Sequence, residues 1–237
     1  MTGFALLSPR PALATEILFV VDDFPPYQYL SPDGEAQGLS YEVVNAVFDS
    51  LGIPIQVEFL PWKRAIATAK NGDATGVYSC GYKKERESFV HYSAPISYAT
   101  NGVIVNNTYQ GSPISALKDL QDISVGAVQG FAANKFLTEA GISFVGVPNI
   151  DSAIPMLVHK RFDALFLTLE TGQFLAAKAE DAGAFKFIPL SDFALRPYHL
   201  CFSKNWPGYL ELAEKFYIAL GELRASGRLE AILAKYR

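Results

Sequence analysis

Cysteine is nearly absent from this 237-residue chain, Cys80 and Cys201 being its only two. A four-cysteine zinc site is therefore excluded. The pair fits an exported protein with one disulfide, and it fits as well two free thiols buried in apolar strands. Histidine is almost as scarce, and His91, His159 and His199 follow no metal-ligand spacing. No metal and no cofactor is expected. Basic charge is not in excess either: 20 Lys and Arg against 24 Asp and Glu leave a net charge of −4. Without a basic stripe to meet a phosphate backbone, nucleic acid is not an expected partner. No apolar run approaches the roughly 20 residues that cross a bilayer, so the mature chain reads as soluble. The G-x-S-x-G elbow, the Walker loop and H-E-x-x-H are all missing.

Half of the residues are hydrophobic and 19% are charged, enough to bury a sizeable core in one large domain or two small ones. At the amino terminus, Ala12-Leu13-Ala14 has the small-x-small pattern of a signal-peptidase site, and cleavage would leave Thr15 first. The preceding stretch has no basic start and a short apolar part, so residues 1–15 read as a residual export signal or tail.

Strand and helix signals then alternate, which argues for α/β architecture. "ILFVV" (17–21) is a strand-length apolar run, and Leu39, Val43, Val44, Val47, Phe48 and Leu51 recur at helical spacing until Gly52 and Pro54. "IQVEFL" alternates as a strand, "WKRAIATAK" is a short helix closed by Asn71-Gly72, and "TGVYSC" is a third strand. A crossing segment, "SYATNGVIVNN" (97–107), leads to a second unit. There "ISVGAV" is a strand turning at Gln129-Gly130 directly into a helix. Ser152 is placed to cap the next helix, with Pro155 in its first turn. "DALFLTL" is a buried strand, "RPYHLCFSK" (196–204) crosses back, and the tail from Trp206 is helical, divided at Ser226-Gly227.

The blocks "DDFPPYQYLSPDGEAQGLSYEVVNAVFDSLG", "PWKRAIATAKNGD", "KKERESFVHYSAPI", "ISVGAVQGFAANKFL", "RFDALFLTLE" and "ALGELRASGRLEAILAKYR" stand in this order from Asp22 to Arg237. Together they resemble the polar amino-acid-binding branch of the type II periplasmic solute-binding proteins, the receptors of ABC importers. The resemblance implies a two-lobed α/β fold, each lobe a mostly parallel sheet flanked by helices, with two hinge strands. Lobe 1 would comprise 16–97 plus 200–237, and lobe 2 with the hinge strands 98–199. It also implies a monomer in the periplasm that binds an amino acid or related small carboxylate and delivers it to permease subunits in the inner membrane.

The same resemblance assigns the site. Arg86 takes the position that grips the ligand carboxylate, a task suited to the planar guanidinium fork. Phe24 and Trp62 take the two aromatic walls, and core packing is the alternative role for each. Tyr27 is expected to pack beneath them. Ser79 or Gly81 would supply hydrogen bonds from the end of the third strand. In lobe 2, Gly130, Phe131 and Ala132 stand where the family has a glycine and a hydroxyl-bearing pair, so backbone donors remain without the hydroxyl. Thr168, or Leu169 if the register slips by one, stands where the family has the aspartate that pairs with an α-ammonium, and Glu170 follows. The carboxylate grip therefore reads as intact and the ammonium grip as altered. Two other functions share the fold: a dehydratase with Glu42 or Glu170 as its acid, and a ligand-sensing module.

Overall fold

The computed structural model describes residues 17–131, 134–178 and 184–236. The export-signal reading and the site candidate Ala132 fall outside them.

The first unit begins with β1 (Ile17–Val21), a small ribbon of β2 (Tyr29–Leu30) and β3 (Ala36–Gln37), and helix α1 (Leu39–Ser50). Strand β4 (Ile55–Phe59), helix α2 (Trp62–Asn71), β5 (Gly76–Gly81) and the long β6 (Val90–Ala99) follow. The second unit runs through β7 (Asn101–Asn106), β8 (Val125–Val128), α3 (Asn134–Glu139), β9 (Phe144–Val147), α4 (Ala153–Val158), β10 (Ala164–Thr168), α5 (Leu169–Lys178) and β11 (Phe185–Pro189). The chain returns through β12 (Arg196–Ser203) and ends in α6 (Tyr209–Ala225) and α7 (Arg228–Ala234).

Two five-stranded sheets result, ordered β4-β1-β5-β12-β6 and β11-β7-β10-β8-β9. Strand β1 is parallel to β4 and β5, and both of its faces are covered. Phe19 and Val21 enter a core with α1, α6 and α7, whereas Val20 packs on the other side with Ala65 and Ala69 of α2. Burial on both faces is why "ILFVV" shows no polar alternation. In the second sheet, α4 and α5 cover one face and α3 with Ile114 and Leu120 the other. The fold is thus a two-lobed α/β structure.

Helix α1 starts where the chain is pinned. Gly38 has φ 124°, and a Cβ there would lie 2.5 Å from the Tyr27 carbonyl oxygen, so only glycine fits. Its amphipathic spacing buries Val43, Val44, Val47 and Phe48.

One local expectation differs. Ser152 does not cap α4; its hydroxyl donates to Asn149 Oδ1 (2.8 Å), which also accepts the Ser152 N–H (2.9 Å). Asparagine, the better turn-former, thus takes the capping role one turn earlier, at a 3₁₀ turn. The cysteines, whose state the sequence left open, are bonded: Cys80 on β5 and Cys201 on neighbouring β12 form a disulfide with a Cα separation of 6.1 Å.

The connection between sheets is narrow. Strand β6 pairs antiparallel with β12, matching Ala99 with Arg196 and Ser97 with Tyr198. Two residues after Ala99, Asn101 pairs with Thr168 in the second sheet, so Thr100 between them is the crossing point.

Candidate ligand-binding cleft

The strand ends of the first sheet, the start of α5 and the two crossing strands converge at this connection. After β1 the chain turns through Asp22-Asp23-Phe24 and a cis Pro25-Pro26 bond, which brings Phe24 back against Tyr27. Their rings stack at 4.8 Å and 20°, and Tyr198 of β12 meets both edge-on, 5.0 Å from Tyr27 and 6.0 Å from Phe24. Tyr27 is fully buried and its hydroxyl donates to the Tyr98 carbonyl (2.9 Å), beneath the partly buried Phe24.

Arg86 sits in a 3₁₀ turn just past β5. Its Nη1 donates to the Gly81 carbonyl (3.0 Å), and its guanidinium lies 5.3 Å over the Trp62 ring at the start of α2. Burial holds its pKa below the usual guanidinium value. Thus Trp62 of α2 joins Gly81 and Arg86 in one cluster, with the guanidinium braced on two sides.

Ser79 has an unusual backbone for a non-glycine residue, φ 46°. Its hydroxyl donates to Gln28 Oε1 (2.6 Å) and lies 3.0 Å from Ser40 Oγ, which in turn lies 3.0 Å from Ser97 Oγ. Gln28 Nε2 donates to Asp22 Oδ1 (3.2 Å). Burial, above all, raises the Asp22 pKa. The Ser79 side chain is therefore fully engaged within the protein.

On the second lobe, Gly130 follows β8 with φ 78°, and Phe131 packs partly buried against the α4–α5 core. Thr168 is buried at the end of β10. Glu170 is held by the crossing point itself: Oε1 accepts from the Thr100 hydroxyl (2.9 Å) and Oε2 from the Thr100 N–H (3.0 Å). Two further contacts join the lobes. Thr171 donates to the Pro25 carbonyl (2.9 Å), and Tyr29 packs on Phe174 at 5.0 Å, with Lys178 Nζ 4.2 Å over the Phe174 ring.

The sequence profile of the bacterial extracellular solute-binding proteins, family 3, matches residues 17–237. The chain belongs to this family. Among the family's curated relatives, a probable histidine-binding protein of Neisseria gonorrhoeae is 25% identical over 222 residues, covering 90% of this chain and 80% of the relative. An L-arginine-binding protein of Pseudomonas aeruginosa is 26% identical over 227 residues, covering 90% and 84%. Two solved structures share the fold at a TM-score of 0.75. A histidine kinase sensor domain with similarity to periplasmic binding proteins is 20% identical, with 94% and 96% covered. An ancestral cationic amino acid solute binding protein is 21% identical, with 92% and 95% covered.

This family 3 protein gathers near the connection several groups that the linear reading passed over: Gln28, Ser40, Ser97, Thr100, Arg196 and the aromatic Tyr198. Alternation along β12 was the available signal for two of them, since Arg196 and Tyr198 share one strand face. The hydroxyl network had no such signal, because its four members come from four different segments.

Proposed function

We propose that this protein is the substrate-binding component of an ABC importer, catching an amino acid or related small carboxylate between its lobes and presenting it to permease subunits in the inner membrane. The observation that carries the reading is Arg86, whose guanidinium is braced by the Gly81 carbonyl and the Trp62 face at the end of β5. A braced planar fork loses little rotamer freedom when it takes a carboxylate in two parallel hydrogen bonds. Phe24 and Trp62 act as aromatic surfaces for the ligand, and the Ser79 and Gly81 backbone supplies polar contacts from the first lobe. Gly130, Phe131, Ala132 and Thr168 are the second lobe's contribution.

The working division assigns 16–97 and 200–237 to one lobe and 98–199 to the other. Closure works through the paired crossing strands β6 and β12, with Glu170 clasping Thr100 and Thr171 reaching Pro25. The protein acts in the periplasm as a monomer, and by capture, not catalysis. Glu42, one acid weighed for a dehydratase, is engaged by Lys235 (2.6 Å) and Tyr236. Glu170, the other, is engaged by Thr100.

A thermal-shift and calorimetric screen of amino acids, each paired with its deaminated analogue, tests this. A ligand that binds only the folded state raises the melting temperature, about 2.7 kcal/mol of stabilisation at a hundredfold excess over Kd. Saturable binding of one probe, recovered unchanged after incubation, is expected. Conversion of a probe to product would replace importer component with enzyme.

A further inference from the structure

Arg196 opens β12 at the hinge and folds back over its own strand, its guanidinium 4.9 Å over the Tyr198 ring. Nη2 donates to the Tyr198 hydroxyl. Nε is buried with no hydrogen-bond partner, and among the described residues no carboxylate lies within ion-pairing distance of this guanidinium. A partly buried cation in that state costs free energy unless something completes it.

Its position says what could. A Cβ built on Gly81 would lie 3.9 Å from Arg196 Nε and 3.7 Å from the Tyr198 ring. The Gly81 carbonyl, on the same residue, carries the Arg86 guanidinium at 3.0 Å. Two arginines from different segments therefore flank one glycine at the end of β5. The nearby acid, Glu170, is occupied by Thr100, and the strand end next to the crossing holds neutral Thr168.

Building on the carboxylate-binding function proposed above, we infer that Arg196 is a second anion-binding residue and that the ligand is a small dicarboxylate, one carboxylate meeting Arg86 and the other Arg196. The second carboxylate completes a hydrogen-bonding group that the free protein leaves unfinished. A ligand with a cationic side chain finds the opposite of what it needs at this end of the cleft.

Calorimetry on the full chain with L-glutamate, 2-oxoglutarate, L-glutamine and L-arginine tests the assignment. Glutamine is the matched control, since it keeps the shape of glutamate with one carboxylate. One of the two dicarboxylates should bind at least about 30-fold more tightly than glutamine, which is roughly 2 kcal/mol. In Arg196→Gln that preference should fall to within about threefold, and Arg196→Lys, which keeps the charge without the fork, should recover only part of it. Melting curves of both variants report folding, and the lysine variant decides if the glutamine variant does not fold. Glutamine or arginine binding as tightly as the dicarboxylates, or an undiminished preference in the folded variants, overturns the Arg196 assignment while the carboxylate-binding function stands. No binding by any of the four probes overturns the dicarboxylate assignment alone; the carboxylate-binding function falls only if the full amino-acid screen also shows no binding.

Discussion

Substituting Arg86 separates holding the fold from holding the ligand. In the free protein Nη1 donates to the Gly81 carbonyl at 3.0 Å and more weakly to Cys80 Sγ at 3.6 Å, and the guanidinium stacks 5.3 Å over Trp62. A hydrogen bond to a charged group contributes about 1.5 to 3 kcal/mol and an exposed cation–π contact about 0.5 to 1 kcal/mol. The group is half-buried, so solvent screening places Arg86→Ala at about 1 to 3 kcal/mol of lost stability. Binding should suffer more. Removing one side of a desolvated charge pair costs about 2 to 5 kcal/mol, or roughly 30-fold to several thousand-fold in Kd. Arg86→Lys divides the two effects: its ammonium can still sit over Trp62 and recover stability, but it lacks the fork that the carboxylate needs. Chemical denaturation measures the first quantity and calorimetry with the cognate carboxylate the second. An alanine variant that loses stability yet binds within about threefold of the parent would reduce Arg86 to a structural brace and refute the carboxylate assignment.

Three other perturbations test separate parts of the structure. Trp62, in the Arg86 cluster, should report ligand by a change in fluorescence that Trp62→Phe abolishes while weaker binding persists; a full response from the remaining Trp206 would remove Trp62 from the site. The Cys80–Cys201 disulfide closes a loop 121 residues long in sequence, for which loop-closure entropy gives about 4.9 kcal/mol. The double alanine variant should lose about 2 to 5 kcal/mol in urea unfolding, and a loss under about 1 kcal/mol would contradict the bridge. For Glu42, burial works to raise the pKa, but hydrogen bonds from Lys235 and Tyr236 outweigh it and hold the carboxyl below its usual 4.5. A depressed folded pKa stabilises the protein above pH 4.5, and that contribution disappears as pH falls through the folded value. Glu42→Gln should therefore flatten the acid limb of the stability curve below about pH 4.5, and an unchanged limb would show that the α1–α7 link carries no such linkage.

The alternation of strand and helix was legible because periodicity is local. "ILFVV", the Val43-Val44-Val47-Phe48 stripe and the Ser226-Gly227 break each state their element within a few residues, and the structure places elements there. The capping of α4 was misread, since Ser152 and Asn149 are both competent caps and only the path of the chain into the 3₁₀ turn chose between them. The block order carried the family, and with it the two-lobed fold.

What the amino-acid sequence determined alone was the class of elements, their order and the membership in family 3, because these depend on residue patterns that persist along the chain. Tertiary structure decided everything that depends on residues meeting across it. It joined Cys80 to Cys201, set Arg86 on Trp62, linked Ser97, Ser40, Ser79 and Gln28 into one network, and brought Arg196 to Gly81. Those meetings are set by strand order and by the turn after β1, and each spans from a few dozen to more than a hundred residues, a distance over which local pattern carries no information about contact.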